Sequence, residues 1–386
     1  MCGIFGLIGP SADHDVAATM LRRLRHRGPD GEGIWRRGDV SLGSARLKII
    51  DLSDAAAQPM TDPATGRVLT FNGEIYNYRE LARELSGAYD FRTRSDTEVI
   101  LAAYARWGED CVRHLRGMFA LALWDPVRRA VFLARDRFGI KPLYVRSDPG
   151  AFLFASEIKA VVNLGRIDAG YNETMIASFL CSRLQDTGRQ TMFAEVTQVL
   201  PSESVWVDES GVAAPAAKYW HLPPIGHETF DEAGASRMRD QVLESVSLHM
   251  RADVPLGCLV SGGLDSSAIA CSVAHLTGGQ PLHTFSSVLA HTNDENALIP
   301  DVERAVHAIP HHVALQGHGF LDTVRSLIRF QDEPIADASM YAHFELMRLA
   351  REAGVRVVLS GNGGDEHCAA AFGVDQQVFL ASHGSR

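Results

Sequence analysis

The pattern of apolar residues changes partway along the 386-residue chain, and this change limits the folds that the chain can adopt. Short apolar runs separated by Gly, Asp and Pro fill the first half, whereas strand-like runs alternate with long helical stretches towards the end. Pro, Ala and Gly become more frequent around residues 201–224, as is typical of a domain boundary. The chain is also long for one hydrophobic core. The sequence therefore predicts a first domain at residues 1–218, a linker at 219–230 and a second domain at 231–386.

The first half is predicted to form stacked sheets covered by helices. Val16–Leu24 has apolar residues at helical spacing. Ser95 and Glu98 form the pattern of a capping box, which predicts a helix over Val99–Trp107. Strand-like runs bounded by turn residues predict strands at Gly3–Ile8, Val68–Asn72, Phe119–Trp124, Ala130–Ala134 and Phe152–Ala155.

The second half is predicted to form a parallel sheet with helices on both faces. A helical stretch at Ala233–Met250 precedes an apolar strand at Val254–Val260. Further strands are predicted at Leu282–Leu289 and Val355–Leu359, with helical stretches between them. Alternation of strands and helices along the chain is typical of such sheets.

Composition and charge favour small-molecule chemistry. The net charge is −10 and no long Lys/Arg run is present, which disfavours nucleic-acid binding. No apolar stretch is long enough to span a bilayer, and no basic leader precedes an apolar segment, so we expect a cytoplasmic protein without a membrane partner. The six cysteines are scattered without a C-x-x-C pair, as suits a reducing compartment.

Cys2 is the first candidate for catalysis. Removal of Met1 would leave Cys2 with a thiol and a free α-amine on the same residue. An α-amine titrates near pH ~7.7–8, so a useful fraction is neutral and can accept the thiol proton. The alternative is a small buried residue at the start of a strand, because free cysteines often lie in cores.

A Gly/Ser loop at residues 260–267 is the second candidate. It follows a strand and opens a helix, so its backbone N–H groups and hydroxyls surround one point that suits a phosphate. Asp265 can hold Mg²⁺ against phosphate oxygens. The loop lacks the Gly-Lys-Ser/Thr ending of a Walker A loop. The alternative is an ordinary tight turn between strand and helix.

The run Ser261-Gly262-Gly263-Leu264-Asp265-Ser266 resembles the pyrophosphate loop of ATP pyrophosphatases. Together with Cys2, it makes the chain similar to the asparagine synthetase B family. The resemblance implies an α/β protein whose first domain is α+β: an N-terminal-nucleophile αββα sandwich of antiparallel sheets. A doubly wound parallel-sheet domain of the ATP-pyrophosphatase type (adenine nucleotide α-hydrolase-like) would follow.

Further segments resemble family motifs along residues 1–366. In the first domain these are Arg25–Asp30, Ala45–Asp51, Phe71–Asn77, Ser95–Glu98, Arg135–Tyr144 and Ala155–Ala160. In the second domain they are Leu282–Ser286, Asp332–Pro334 and Leu359–Glu366.

The resemblance implies a glutamine site in the first domain. Asn72 and Gly73 would stabilise the oxyanion formed when Cys2 attacks the amide. Arg46 would bind the α-carboxylate of glutamine, and Asp96 or Glu74 its ammonium. The residues implied to bind glutamine are Arg46, Ile49, Ile50, Asn72, Gly73, Glu74 and Asp96. Some of these residues have a plainer structural alternative. Arg46 could form a surface ion pair, Asp96 could belong to a helix-capping turn, and Asn72-Gly73 could form a type I′ hairpin turn.

The resemblance also implies a site for ATP and Mg²⁺ in the second domain. The residues implied to contact ATP are Val260, Ser261, Gly262, Gly263, Asp265, Ser266, Ser287, Ser360 and Gly361. Asp265 and Asp365 would bind Mg²⁺ on the pyrophosphate.

Two departures from the family pattern affect the predicted activity. Asn362 replaces a family glutamate that serves acid–base chemistry, and an amide cannot take a proton at neutral pH. After Glu366 the family continues with a long helical region, whereas this chain stops at Arg386, so we expect an incomplete, truncated synthetase domain.

The predicted reaction converts glutamine, aspartate, ATP and water to asparagine, glutamate, AMP and pyrophosphate. The alternatives are amidation of another carboxylate acceptor, in a peptide or secondary metabolite, and glutaminase activity alone. A homodimer is a candidate assembly, but the sequence does not determine the oligomeric state.

Overall fold

The structure is a computed structural model that describes residues 1–10, 14–162, 164, 170–183, 185, 188–224, 231–288, 294–315, 319–337 and 339–364. These residues fall into two compact units. The first unit is Met1–His227 with Ile328–Ala336, and the second is Glu228–Leu327 with Asp337–Arg386. Among the described residues, no helix is long and apolar enough to cross a membrane.

The first unit contains two antiparallel sheets. Its strands are β1 (Gly3–Ile8), β2 (Gly31–Arg37), β3 (Val40–Arg46), β4 (Met60–Thr61), β5 (Val68–Ile75), β6 (Gly117–Asp125), β7 (Ala130–Arg135), β8 (Tyr144–Asp148), β9 (Ala151–Ala155), β10 (Val196–Gln198), β11 (Glu203–Asp208) and β12 (Ala217–Lys218). The first sheet has the order β10-β8-β9-β1-β3-β2 and the second β12-β11-β7-β6-β5-β4. The helices are α1 (His14–Leu24), α2 (Tyr78–Leu85), α3 (Asp96–Trp107), α4 (Cys111–His114) and α5 (Glu173–Ser182).

The two sheets stack face to face and helices cover their outer faces. Ile4 and Leu42 of the first sheet share a buried cluster with Val68 and Leu133 of the second. On the outer sides, α1 packs on the first sheet, and α2 and α3 pack on the second. Alternation of side chains along each strand allows one face to meet the other sheet while the opposite face meets a helix. The predicted αββα sandwich is confirmed.

Asn72 and Gly73 lie inside a strand rather than in a hairpin turn. Strand β5 continues to Ile75, beyond the predicted end at Asn72, and pairs Asn72 with Ala120 and Gly73 with Phe119 of β6. The hairpin alternative for this pair is therefore wrong.

The predicted capping box is only half formed. Ser95 caps α3 by accepting a hydrogen bond from the Thr97 N–H, as expected. The Glu98 carboxylate instead accepts hydrogen bonds from the backbone N–H groups of Arg92 and Thr93, at 3.0 and 2.6 Å. In a complete capping box the Glu98 carboxylate would accept a hydrogen bond from the Ser95 N–H. Here the N–H groups of the preceding loop occupy that carboxylate instead.

The second unit contains one parallel sheet. Its strands are β13 (Leu256–Leu259), β14 (Leu282–Val288), β15 (Ala308–Ala314) and β16 (Val357–Leu359), in the order β15-β14-β13-β16. The helices are α6 (Glu232–His249), α7 (Leu264–Leu276), α8 (Ile299–Ala305), α9 (Phe320–Gln331) and α10 (Ser339–Glu352). The strand order reverses between β13 and β16, and such a switch point is where open parallel sheets bind ligands.

Helices cover both faces of the parallel sheet, which confirms the doubly wound prediction. Residues of α6, α7 and α8 pack in one cluster with Cys258 of β13. Residues of α10 pack in another cluster around Phe285 of β14. Strand β15 was not predicted, because Pro310 and two histidines interrupt its apolar pattern; it lies at the sheet edge, where Pro is tolerated.

The boundary between the units differs from the predicted linker in two details. The linker was predicted to start at Tyr219, but the Tyr219 ring is buried and its hydroxyl donates to the Arg135 carbonyl at 2.7 Å. Residues 328–336 group with the first unit, although the sequence assigns them to the second domain. Linker residues 225–230 lie outside the described residues.

Candidate active site

Cys2 lies where two strands of the first sheet end. It precedes β1, and Gly3 pairs with Ala45 near the end of β3. The Cys2 Sγ contacts the backbone of Leu47: it donates to the carbonyl at 3.6 Å and accepts from the N–H at 3.4 Å. The Arg27 Nε donates to the Cys2 carbonyl at 2.9 Å. Both strand pairing and side-chain contacts thus fix the backbone of the candidate nucleophile.

The surroundings of Cys2 favour uncharged groups. Burial raises the pKa of the Cys2 thiol above its ordinary value, although the nearby N-terminal ammonium and the Leu47 hydrogen bond act in the opposite direction. Burial also lowers the pKa of the Met1 amine to about 5, and the positive charges of Arg27 and Lys141 contribute to this shift. The Cys2 thiol therefore needs a base, and the Met1 amine, with its lowered pKa, is neutral at pH 7.

The side-chain amide of Asn72 is fully buried and has no hydrogen-bond partner among the described residues. On β5, Asn72 lies on the same face as Thr70, whose hydroxyl donates to the Gly43 carbonyl of the first sheet at 3.0 Å. The amide therefore faces the space between the sheets. A buried amide without a partner costs about 1–3 kcal/mol, which calls for an explanation.

The pairing of β5 with β6 leaves no room for a side chain at Gly73. A Cβ atom at this position would lie 2.2 Å from the Met118 carbonyl oxygen and 2.8 Å from the Phe119 Cα. No side chain fits there, so the identity of Gly73 follows from packing as well as from its predicted catalytic role.

Arg46 is buried and forms no ion pair with any described residue. Its guanidinium donates to the carbonyl oxygens of Ser53 at 3.0 Å, Ile50 at 3.4 Å and Asp51 at 2.6 Å. These contacts shape the loop after β3, in which Ile50 is buried and Ile49 packs against the same core. A buried cation held by carbonyls alone has charge available for an anionic ligand.

Asp96 and Glu74 supply negative charge to the same region. The Asp96 carboxylate accepts a hydrogen bond from the Ile75 N–H at 3.0 Å, which ties the start of α3 to the end of β5. Burial raises the pKa of Asp96 to about 6, although backbone hydrogen bonds and Arg46 act to lower it. The charges of both carboxylates also act on the Cys2 thiol. The structure thus brings Cys2, Arg46, Glu74 and Asp96 into one neighbourhood.

Lys141 was missed by the sequence analysis. Its side chain is 4% exposed, and among the described residues its Nζ hydrogen-bonds only to the Met1 Sδ, at 2.8 Å. Burial, together with the Arg27 charge, lowers the pKa of Lys141 to about 8. The lysine lies within the motif Arg135–Tyr144 at a position that the motif leaves open, so the pattern alone gave no signal.

In the second unit, the loop after β13 is braced from within. Ser261 Oγ lies 2.9 Å from Ser266 Oγ and accepts from the Gly263 N–H at 3.2 Å. Gly262 has a φ of +88°, which only glycine adopts at little cost. Helix α7 begins at Leu264, so its free N–H groups lie beside this loop. Such a fixed turn of backbone donors suits a phosphate.

The loop after β16 packs directly on this turn. A Cβ at Gly361 would lie 2.7 Å from the Ser266 N, and one at Gly364 would lie 2.3 Å from the Asp265 Oδ2. The two loops that the sequence assigns to ATP are thus adjacent, at the switch point of the sheet. Val260 is buried at the end of β13, and Ser360 follows β16.

One further polar atom near this site has no partner among the described residues. Ser286 is buried on β14 and its Oγ forms no hydrogen bond there. Its neighbour Ser287, which the resemblance predicts as an ATP contact, points to the opposite face of the strand. Within the ranges that the structure describes, no three His, Cys, Asp or Glu residues form a metal-binding group. Asp365, the second predicted Mg²⁺ ligand, lies outside the described residues.

Comparison with known families and proteins adds to these observations. The family model of the glutamine amidotransferase domain matches residues 1–220, and that of asparagine synthase matches residues 237–377. A Methanocaldococcus jannaschii protein with the provisional name asparagine synthetase (glutamine-hydrolyzing) 2 is 32% identical over 95% of this chain and 75% of its own length.

Two bacterial relatives are matched over a smaller share of their length. Asparagine synthetase (glutamine-hydrolyzing) 3 of Bacillus subtilis is 32% identical over 86% of this chain and 57% of its own. Asparagine synthetase B (glutamine-hydrolyzing) of Escherichia coli is 30% identical over 95% of this chain and 64% of its own. The chain thus spans less than two thirds of the length of these two relatives.

Proposed function

The chain belongs to the family of glutamine-hydrolysing asparagine synthetases, and we propose that its first unit releases ammonia from glutamine with Cys2 as the nucleophile. Removal of Met1 would make the Cys2 α-amine the N-terminus. Burial beside Arg27 and Lys141 would keep that amine neutral, as it lowers the pKa of the Met1 amine. The amine would therefore accept the proton of the Cys2 thiol.

The reaction would then proceed in two steps. The Cys2 sulfur attacks the side-chain carbonyl carbon of glutamine, and the negative charge moves to the carbonyl oxygen. Asn72 and the Gly73 N–H donate hydrogen bonds to this oxyanion. The C–N bond breaks, the amine returns its proton to the leaving nitrogen, and ammonia departs. Water attacks the resulting thioester, which regenerates the thiol and yields glutamate.

The buried Asn72 amide carries this proposal. An amide with no partner between the sheets costs folding free energy, so the fold gains nothing from it. A preorganised donor for a charge that exists only during the reaction accounts for that cost.

The recognition of glutamine would rest on charge. Arg46, a buried cation without an ion pair among the described residues, would bind the α-carboxylate. Asp96 and Glu74 would bind the ammonium. Ile49 and Ile50 would form the wall of the loop that Arg46 organises.

In the second unit we propose an ATP site at the switch point of the sheet. Val260, Ser261, Gly262, Gly263, Asp265, Ser266, Ser287, Ser360 and Gly361 would hold the nucleotide, and Asp265 with Asp365 would hold Mg²⁺. The close fit of Gly361 and Gly364 on Asp265 supports a single site made by the two loops. The bound nucleotide would supply activation of the acceptor carboxylate towards ammonia.

We propose aspartate as the acceptor, which would make asparagine the product. One observation favours a second candidate: Asn362 is exposed in the loop after β16, where the family pattern has a glutamate. An amide cannot act as a base there, which favours another carboxylate acceptor whose amidation does not need that glutamate.

The test is to incubate the chain with glutamine, aspartate, ATP and Mg²⁺ while glutamate, AMP and asparagine are measured separately. We expect glutamate from the parent and none from Cys2→Ser, whereas the exposed Cys181→Ser should match the parent. Glutamate formation by Cys2→Ser would overturn the role of Cys2. Glutamate without AMP or asparagine would reject aspartate as the acceptor, because no acyl adenylate forms, and AMP release with another carboxylate in its place would favour the second candidate.

A further inference from the structure

Residues 330–334, which we call the acidic segment, contain the motif Asp332-Glu333-Pro334, to which the proposed function assigns no role. The segment comprises the last two residues of α9 and the start of the loop that leads to α10, and it groups with the first unit. Asp332 accepts from the Lys159 N–H and Glu333 accepts from the Met192 N–H, both at 2.8 Å. Gln185 donates to the Pro334 carbonyl at 2.7 Å. These hydrogen bonds anchor the segment to three separate places in the first unit.

A continuous series of charged contacts leads from the acidic segment to Cys2. Lys159 Nζ lies 3.2 Å from the Asp332 carboxylate and 2.5 Å from the Glu157 carboxylate. The other oxygen of Glu157 lies 2.8 Å from the Arg27 guanidinium. Arg27 in turn donates to the Cys2 carbonyl at 2.9 Å. Three ionic side chains, those of Lys159, Glu157 and Arg27, thus connect Asp332 to the backbone of the candidate nucleophile.

These side chains are mostly removed from water. The Arg27, Glu157 and Asp332 side chains are 11%, 8% and 10% exposed, and Lys159 is 23% exposed. Buried ion pairs have well-defined geometry, and removal of one partner leaves a charge that must find another. A change at Asp332 should therefore alter the contacts of Lys159 and, through it, those of Glu157.

The charges around Glu157 indicate how its contacts would change if the Asp332 charge were removed. Burial alone would raise the pKa of Glu157, but His26, Arg27 and Lys159 outweigh it and lower the pKa to about 2. Glu157 is thus a carboxylate shared by three basic groups. Lys159 is in turn shared by Glu157, Asp332 and the Phe330 carbonyl, which lies 2.9 Å from its Nζ. Without the Asp332 charge, Lys159 would draw Glu157 away from Arg27.

We propose that the acidic segment positions Cys2 for glutamine hydrolysis through Lys159, Glu157 and Arg27. The proposal rests on the proposed role of Cys2. Asp332 touches neither the substrate site nor the thiol; it sets the geometry of the Cys2 backbone at a distance.

The test is glutamine hydrolysis by Asp332→Asn, which keeps the shape of the side chain and an acceptor for the Lys159 N–H but removes the charge. We expect kcat to fall by roughly 10- to 100-fold, the size of a displacement of up to about 1 Å at a nucleophile. The KM for glutamine should stay within about twofold, because the residues proposed to bind glutamine are untouched. Asp332→Glu, which keeps the charge, should retain most of the activity.

Asp322→Asn is the matched control, since Asp322 is an exposed carboxylate of α9 that pairs with Arg325 on the same helix. It should keep the kcat of the parent.

The double variant Asp332→Asn with Lys159→Met separates positioning from a general loss of stability. It removes the competing lysine charge, so Glu157 should return to Arg27 and kcat should recover at least partly. A purely structural role predicts further loss, because a second set of contacts has gone. The rate of Cys2 alkylation by iodoacetamide, mapped by mass spectrometry, should follow the same order of variants.

Two results would overturn the inference: parental kcat and alkylation rate in Asp332→Asn, or a double variant more damaged than Asp332→Asn. A parent that releases no glutamate would instead reject the proposed function. The two failures are therefore distinguishable.

Discussion

At the scale of single residues, Asn72 separates catalysis from stability. Asn72→Ala should lower kcat for glutamine hydrolysis by about 10²–10³-fold, because it removes the proposed oxyanion donor. The free energy of unfolding should change by no more than about 1 kcal/mol, since the loss of packing is offset by removal of a buried amide without a partner. Steady-state kinetics and urea unfolding measure the two quantities.

Asn77 provides the opposite case within the same sequence motif. Its side chain donates to the His114 carbonyl at 3.0 Å and accepts from the Arg116 N–H at 2.8 Å. Asn77→Ala should destabilise the protein by about 1–2 kcal/mol and leave kcat unchanged. If both variants lost stability and neither lost kcat, the catalytic assignment of Asn72 would be wrong.

The pH dependence of glutamine use should report on Asp96. Its pKa is raised to about 6, so the carboxylate that would bind the substrate ammonium becomes protonated as pH falls through that value. We expect kcat/KM to fall about tenfold per pH unit below 6. Asp96→Asn should lower kcat/KM at pH 8 and flatten this limb. If the pH profile of kcat/KM for Asp96→Asn falls below pH 6 as steeply as that of the parent, a titratable group other than Asp96 causes the fall.

Some features of individual residues at the candidate site could not be predicted from the sequence. The resemblance supplied Arg46, but only the structure shows that backbone carbonyls hold its guanidinium. Lys141 could not be found, because a lysine is ordinarily exposed and only its burial makes it unusual. Contacts that depend on residues distant in sequence leave no local pattern.

At the scale of secondary-structure elements, Gly73 determines whether β5 and β6 can pair. Gly73→Ala would bring a Cβ to 2.2 Å from the Met118 carbonyl, so the strands must separate. We expect a loss of about 1–3 kcal/mol in the free energy of unfolding, together with lower glutamine hydrolysis. Chemical denaturation of the variant measures the first effect.

Gly87→Ala is the control for this prediction. Gly87 follows α2, and a Cβ at this position would meet nothing within 4 Å. Its stability should stay within about 0.5 kcal/mol of the parent. Equal stability of the two variants would mean that β6 moves away from Gly73 without cost.

The elements themselves were predicted unequally well, for physical reasons. Strand β1 has the predicted bounds because its apolar run is uninterrupted and fully buried. Strand β15 was missed because an edge strand needs neither an apolar run nor a full set of N–H donors. The Glu98 contacts were not predicted because backbone N–H groups of the preceding loop donate to its carboxylate, and helix-capping patterns do not predict the conformation of a loop.

At the scale of the whole molecule, Glu157 should contribute to acid unfolding. Its folded pKa is about 2, below the ordinary value of 4.5, so its stabilising effect is present above pH 4.5 and is lost as pH falls towards 2. The shift corresponds to about 3 kcal/mol. Glu157→Gln should be less stable than the parent at pH 7, and the difference should shrink steadily below pH 4.5. Urea unfolding at several pH values measures this, and a constant difference would contradict the prediction.

The two-part architecture was predicted from the change in pattern along the sequence, but the division of the chain was not predicted in full. Residues 328–336 join the first unit through an ion pair with Lys159 and hydrogen bonds with Met192 and Gln185. Sequence patterns assign neighbouring residues to the same domain, so a segment that returns to an earlier unit is invisible to them.

That return has a consequence for biosynthesis. Residues 228–327 must leave the ribosome before the acidic segment can complete the first unit. At roughly 5–20 residues per second, the last piece arrives about 5–20 s after the rest. A nascent chain therefore holds Cys2 long before it holds Asp332, and a chain released in that interval lacks the acidic segment that completes the first unit.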